Sequence, residues 1–310
     1  MEENALENSK AVLNSERITL ISKALENKIF VPFKFDTPEF FPPVGHPRTI
    51  EYFFKVVLHQ FGFWYLDNER WSGSMFAIID NQLLKGSDFI WRSATKSLMN
   101  NEEEITNFLD EEGNCPLPML KEHRDLTEKF SRFIFEYPAE KIIEDSNSSK
   151  EPLKRLMEIL SNAPGYCEDP YRKKAMLLAM SIANRPEQFL KGRNGRHLEG
   201  WEPVVDYHIQ RTSLRTGMVE ILDEDLRKRN IERRVIEAKE EDSIRRATYD
   251  AMIQLSNRSG LSHAAIDYLF FQARSRCPEA GEPRCAECLF NAVCAMRKDL
   301  FQPVFRTTAY

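Results

Sequence analysis

The sequence predicts an all-α protein with two lobes, and three observations support this fold class. Glycine is scarce, with 12 among 310 residues, and hydrophobic residues make up 42% of the chain, enough for packed cores. Long stretches repeat apolar residues every three or four positions, which is typical of amphipathic helices. This periodicity predicts helices over 10–27, 48–60, 102–110, 117–136, 150–161, 170–184, 206–221, 232–256 and 262–275.

Local signals refine three of these elements. The aromatic-rich segment 61–92 departs from helical periodicity, and we expect a short hairpin around Asn68 and Glu69, followed by a helix. Asp169 and Pro170 predict an N-cap and a first helical position. The run that follows is nearly all apolar, so this helix should be buried on most sides. Asp206 is predicted to cap the next helix.

The length allows one large domain or two lobes. An Asp/Ser/Asn-rich stretch at 145–149 is the best candidate boundary. We therefore expect a helical N-terminal lobe over 1–149, a second lobe over 150–276, and a cysteine-rich loop with a tail over 277–310.

Charge is distributed unevenly. The net charge is −5, yet residues 1–150 carry −8 and residues 151–310 carry +3. A partner that bears phosphate should therefore meet the second half, although the balance is far from that of a dedicated nucleic-acid-binding domain. No apolar run approaches the ~18 residues of a membrane span. The N-terminus has no features of a secretory signal, so a cytoplasmic location is expected.

Four of the six cysteines form the pattern C-x7-C-x2-C-x5-C, at Cys277, Cys285, Cys288 and Cys294. Thiolates this close in sequence can converge on one metal centre in a reducing compartment. A [4Fe–4S] cluster is favoured because paired zinc-ribbon knuckles are lacking; zinc bound by the four thiolates and free thiols are the alternatives. Cys115 and Cys167 stand alone and are interpreted as small buried hydrophobes.

The cysteine pattern resembles the C-terminal iron–sulfur loop of the endonuclease III and MutY family of DNA glycosylases, which reads C-x6-C-x2-C-x5-C. In that family the loop is mainly structural and presents basic residues to DNA. The resemblance implies the same role for three basic residues near the cluster, Arg284, Arg297 and Lys298.

A second resemblance concerns DPYRKKAMLLAMSIANRP and EPVVDYHIQRTSLRTG, which are similar to the catalytic region of archaeal 8-oxoguanine DNA glycosylases. It implies an amine role for Lys174, with Lys173 as the alternative register, and a carboxylate role for Asp206. The chemistry suits these residue types, because a carboxylate stabilises an oxocarbenium-like sugar and a neutral lysine can form a Schiff base. The simpler interpretation is a lysine that reaches solvent and an aspartate that only caps a helix.

Over most of 49–275 the order of elements resembles queuosine salvage glycohydrolases, which share the helix-hairpin-helix glycosylase-like core. The hairpin differs from that of most DNA glycosylases, since Asn162–Cys167 contains one glycine where they read Leu-Pro-Gly-Val-Gly. A grip on duplex DNA would then come from elsewhere, and the candidates are Lys191, Arg193 and Arg196. These three residues fit an ordinary solvated loop equally well.

An excised base has to be held outside the stack, usually between aromatic faces. The candidates for a pocket around the base and sugar are Trp71, Trp201, Tyr207, His208 and Asp88. Packing explains the aromatic residues and His208 as simply, and helix capping explains Asp88.

Together these features predict a bilobal helix-hairpin-helix glycosylase-like fold with a C-terminal iron–sulfur loop. The leading expectation is a monomeric DNA glycosylase that cleaves the N-glycosidic bond of a damaged or modified base, including bulky bases of the kind that phages place in their DNA. One alternative is an N-glycosidase of a free modified nucleotide, as in queuosine salvage. The other is a non-catalytic nucleic-acid-binding module.

Overall fold

The computed structural model describes residues 9–26, 28–191 and 200–310, and this part of the chain is mostly helical. It contains eleven α-helices and three small two-stranded sheets. The prediction of a helical protein is confirmed, and the exclusion of strands is wrong. Within the described ranges no helix is long and apolar enough to cross a membrane.

In chain order the elements are β1 (Ala11–Leu13), α1 (Ser15–Leu25), α2 (Thr49–Val57), β2 (Trp64–Asp67), β3 (Arg70–Ser74), β4 (Phe76–Ile79), β5 (Gln82–Lys85), α3 (Gly86–Met99), α4 (Leu120–Glu136), α5 (Ala139–Ser148), α6 (Pro152–Leu160), α7 (Lys173–Asn184), α8 (Tyr207–Thr216), β6 (Val219–Ile221), α9 (Glu224–Ile231), α10 (Ala238–Ser259), α11 (His263–Ala273) and a 3-10 turn (Cys285–Glu287).

Two compact units alternate along the chain. The first unit comprises Met1–Pro32, Leu66–Gly73 and Val205–Arg306, and the second comprises Phe33–Tyr65, Ser74–Val204 and Thr307–Tyr310. The predicted boundary at 145–149 lies at the end of α5, inside the second unit.

The first unit is built around the long helix α10. This helix packs against α1, α8 and β1, and β1 pairs with β6 in antiparallel register, with Ala11 opposite Ile221. Apolar side chains of α1, α8, α10 and α11 form one buried core, and Cys288 and Cys294 pack against its edge. The cysteine loop is therefore attached to a packed core.

In the second unit, the apolar helix α2 is the common neighbour of α3, α5 and α7. Its buried face includes Tyr52, Phe53 and Phe54. Because α7 packs against α2, the first residues of α7 lie beside the segment that leaves α2.

Positive φ angles explain where the chain reverses. Asn68 and Glu69 (φ 46° and 58°) form the predicted hairpin turn between β2 and β3, which confirms that prediction. A second hairpin turns at Asp80 and Asn81 (φ 52° and 61°) and was not predicted. Its apolar flanking residues are compatible with a strand or a buried helix, which periodicity does not separate.

Several predicted helix bounds are wrong. Residues 102–110 form turns, the helices α5 and α9 were missed, and the start of 10–27 is the strand β1. The helix predicted over 206–221 ends at Thr216, because Gly217 takes the left-handed conformation (φ 82°) and the chain continues as β6.

The capping predictions have different outcomes. Asp206 is the N-cap of α8, as predicted. Helix α7 begins at Lys173, three residues later than Asp169-Pro170 suggested, because Arg172 takes φ 51°. Asp169 still satisfies the helix start, since its carboxylate accepts from the backbone N–H of Lys173 at 2.8 Å.

We expect Gly217→Ala to lower the free energy of unfolding by about 2–3 kcal/mol, because it combines a left-handed φ with overpacking. A Cβ at this position would lie 2.8 Å from the Cβ of Ala295. The matched control is Gly260→Ala at the end of α10, which has φ 70° and no atom within 4 Å of the added carbon. It should cost about 1 kcal/mol. Urea denaturation measures both, and equal losses would exclude the contact with Ala295 as a cause.

Candidate functional site

Two adjacent lysines are buried in the second unit at the start of α7. Lys173 is 4% exposed and Lys174 is 2% exposed. The Nζ of Lys174 donates to the carbonyl of Leu58 at 3.2 Å, and that of Lys173 donates to the carbonyl of Gln60 at 2.7 Å. The segment that leaves α2 thus holds both amines through its backbone. The interpretation of Lys174 as a lysine that reaches solvent is wrong.

The Lys174 amine has an unusual protonation state. Burial lowers its pKa to about 7, and the neighbouring charge of Lys173 acts in the same direction. Glu168, Asp169 and Cys167 oppose this effect without cancelling it. Its Nζ also lies 5.2 Å from the centroid of the Phe61 ring. A substantial share of this amine is therefore neutral near pH 7, as a nucleophilic lysine requires.

Two buried histidines complete this cluster and were not predicted. The Nδ1 atoms of His59 and His123 lie 2.9 Å apart, and the ring of His123 stacks on Phe61 at 4.0 Å. Burial and the charge of Lys174 lower the pKa of His123 to about 3, and burial also lowers that of His59. Both imidazoles are therefore neutral. No local sequence signal links histidines that lie 64 residues apart.

Asp206 belongs to the first unit and is half-buried at the N-terminus of α8. Its Oδ1 accepts from the backbone N–H groups of His208 (2.8 Å) and Ile209 (3.0 Å). Within the described ranges, no hydrogen bond uses its Oδ2. The carboxylate is held rigidly by one oxygen, and its other oxygen remains available for chemistry.

Helix α8 is buried along its whole length although most of its side chains are polar. The fully buried guanidinium of Arg211 bonds Gln302 and lies 3.5 Å from Glu279. Arg215 donates to the carbonyls of Leu300 (2.8 Å) and Pro278 (2.7 Å). These arginines attach α8 to the chain on both sides of the cysteine loop.

All four clustered cysteines line one recess of about 420 Å³, which includes the solvent at its mouth. Each thiol is free and half-buried. Burial raises the pKa of Cys288 and Cys294, and the charges of the other sulfurs add to the effect. Arg215 donates to the Sγ of Cys277 at 3.3 Å. Within the described chain, no three ligating side chains form a group that fits a single metal ion.

The remaining cysteines differ from each other. Cys115 is half-buried, whereas Cys167 is exposed, so its interpretation as a buried hydrophobe is wrong. Cys167 follows a turn that exposes it near the start of α7.

The candidate phosphate contacts near the cysteines all have carboxylate partners. Arg284 lies 3.3 Å from Glu287, Arg297 lies 3.3 Å from Glu220, and Lys298 lies 3.6 Å from Glu282. Exposed pairs of this kind contribute little stability, so a phosphate could compete for these cations. Lys191 is exposed, and Arg193 and Arg196 lie outside the described residues.

The pocket candidates lie in different surroundings. Trp71 packs against Phe301 (5.1 Å) and the guanidinium of Arg233 (5.3 Å), so part of its ring is already covered. Trp201 is half-buried, and Asp88 is half-buried in the first turn of α3. Tyr207 and His208 are buried at the start of α8, with ring centroids 4.2 Å apart.

The turn between α6 and α7 contains the single-glycine hairpin sequence. Gly165 has φ 85°, and a Cβ there would lie 2.2 Å from the side chain of Leu58. Its N–H donates to the carboxylate of Glu168 at 3.0 Å. This N–H is therefore occupied by an internal anion and is not offered to a phosphate.

Comparison with known proteins adds no relative, since no family description and no curated protein matches this chain.

We expect Lys174→Met to raise the free energy of unfolding, and to do so most below pH 7. There the lysine is charged in both states, and the folded state alone bears the desolvation cost. Above pH 7 the folded amine loses its proton before the unfolded one does, so the wild type gains stability. The advantage of the variant should shrink by about 2–3 kcal/mol between pH 6 and pH 9.

Chemical denaturation at both pH values provides the measurement, with the exposed Lys150→Met as the control that should show no such change. An advantage that stays constant with pH would mean that Lys174 titrates normally.

Proposed function

We propose that the protein is an N-glycosylase that releases a damaged or modified base from DNA. The observation that carries the proposal is the buried Lys174 amine, whose pKa lies near 7. Keeping a lysine in an apolar site is costly for folding and is typical of amines that act as nucleophiles.

In the proposed reaction the neutral amine of Lys174 attacks the anomeric carbon of the sugar. The N-glycosidic bond breaks, its electron pair leaves with the base, and the base takes up a proton. Opening of the sugar ring then gives a Schiff base, which water hydrolyses to free the amine. Direct attack by water is the variant in which Lys174 acts only through its electrostatic field.

Asp206 is proposed to stabilise the positive charge that develops on the sugar. Its fixed Oδ1 orients the carboxylate, so that little reorganisation is needed in the transition state. The available Oδ2 would face the oxocarbenium-like carbon or direct a water molecule to it.

We also propose that Cys277, Cys285, Cys288 and Cys294 hold a [4Fe–4S] cluster. Four thiols around one recess, without a closed single-ion ligand set, support a bulky cluster more than zinc. A tetrahedral zinc site with bonds of about 2.3 Å would bring the sulfurs to about 3.8 Å from one another. The cluster would serve as a staple for this part of the first unit.

The second candidate function is an N-glycosidase of a free modified nucleotide. The internal bond from Gly165 to Glu168 favours it, because it removes a backbone donor that would otherwise bind a DNA phosphate. A mononucleotide needs no such grip on the duplex.

Base release measured by mass spectrometry tests the function. Wild type is given modified phage DNA, oxidised DNA and queuosine monophosphate, and we expect a free base from one of the DNA substrates. Asp206→Asn should lower the rate at least about 100-fold, because asparagine keeps the helix cap and loses the charge.

The matched control is Asp223→Asn, which changes the N-cap of α9 in the same way and should leave the rate unchanged. Release from the mononucleotide alone would establish the second candidate. No release from any substrate would contradict both.

The cluster has its own test, on protein purified without air. We expect a brown protein with about four irons per chain and negligible zinc. Cys288→Ser should remove most of the iron, whereas Cys115→Ser should leave it. Stoichiometric zinc in the wild type would contradict the iron–sulfur proposal.

A further inference from the structure

A chain of hydrogen bonds determines the tautomers of the buried histidine pair. Thr127 donates its hydroxyl proton to the carbonyl of His123 at 3.1 Å, so its oxygen can only accept from the Nε2 of His59, at 3.3 Å. His59 is therefore protonated at Nε2, and its Nδ1 accepts. His123 must then donate from Nδ1 across the 2.9 Å contact.

This leaves the Nε2 of His123 as a bare acceptor. The atom is buried and has no hydrogen-bond partner, although His123 is only 3% exposed. The His123 ring and the Lys174 amine both lie against the ring of Phe61. An unpaired acceptor thus belongs to the same cluster as the proposed nucleophile.

Gln60 supplies the complementary unpaired donor. Its Oε1 accepts from the hydroxyl of Ser87 at 2.7 Å, which orients the amide, and its Nε2 is buried without a partner. The backbone carbonyl of the same residue holds Lys173. Gln60 is 3% exposed, so bulk water does not serve this donor.

Buried polar atoms without partners are rare in native proteins, and each one calls for an explanation. A free acceptor and a free donor in one lysine cluster match a ligand edge with an N–H next to a carbonyl. Thymine and hypoxanthine carry such a lactam edge. Cytosine and adenine present a bare ring nitrogen and an amino group there, which is the opposite pattern.

We propose that His123 and Gln60 determine base specificity, with His123 accepting the ring N–H and Gln60 donating to the adjacent carbonyl of a lactam-type base. The assignment rests on the proposed glycosylase function, because it concerns the base that this site would release. Phe61 provides a flat apolar surface in the same cluster. Bases that carry an amino edge are discriminated against, because they leave both protein atoms unpaired.

The test measures binding of free bases, so it does not depend on bond cleavage. Dissociation constants for thymine, hypoxanthine, cytosine and adenine are determined by ligand-observed NMR titration of the whole chain. We expect the two lactam bases to bind at least about tenfold more tightly than the two amino bases, which is the effect of one lost hydrogen bond or more.

Gln60→Glu replaces the donor with an acceptor of the same shape and should abolish that preference. The matched control is Gln82→Glu, an exposed position on β5, which should retain it. His123→Leu removes the acceptor and should also abolish the preference. If that variant does not fold, as judged by its thermal transition, Gln60→Met provides the second reading.

Equal affinities of the wild type for all four bases would overturn the proposal, and so would a preference that survives Gln60→Glu. A crystal structure in which ordered waters alone occupy both atoms in the presence of thymine would also overturn it. A lactam preference in a protein that releases no base from DNA would support this site and count against the glycosylase.

Discussion

The two ammonium groups of Lys173 and Lys174 are buried together, and the second unit is arranged around that constraint. Each lysine finds a backbone carbonyl of the segment that leaves α2, and neither carbonyl carries a full negative charge. A carboxylate in their place would stabilise the charged amine and suppress its nucleophilicity. Carbonyls, the Phe61 ring and two neutral imidazoles orient the amine and leave its pKa low.

The first unit handles buried charge in the opposite way. Arg211 lies near Glu279 and bonds Gln302, so its cation has both a counter-ion and a hydrogen-bond acceptor. Arg215 bonds two carbonyls and a thiol. Because a guanidinium stays charged in proteins, these residues serve as fixed attachments, whereas a lysine can change its state. The same desolvation cost therefore has a structural outcome in one unit and a chemical outcome in the other.

These contrasts give the candidate site its chemical sense. A neutral amine, a carboxylate with one available oxygen and a thiol-lined recess are the parts that an iron–sulfur N-glycosylase would use. The internal bond of Gly165 to Glu168 shifts the expected contact with the substrate away from the hairpin. The interaction with a nucleotide would then depend on the base and sugar more than on the phosphates, which agrees with the unpaired atoms of His123 and Gln60.

Local sequence determined the features that depend on neighbouring residues. Apolar periodicity predicted most helices, Asn68 and Glu69 predicted a hairpin, and Asp206 was identified as an N-cap, because each signal acts within a few residues. Only the tertiary structure decided that Lys174 is buried, that His59 meets His123, and that α7 starts late at Arg172. Burial and pairing across 64 residues depend on which helices pack together, and no local pattern encodes the solvent that packing removes.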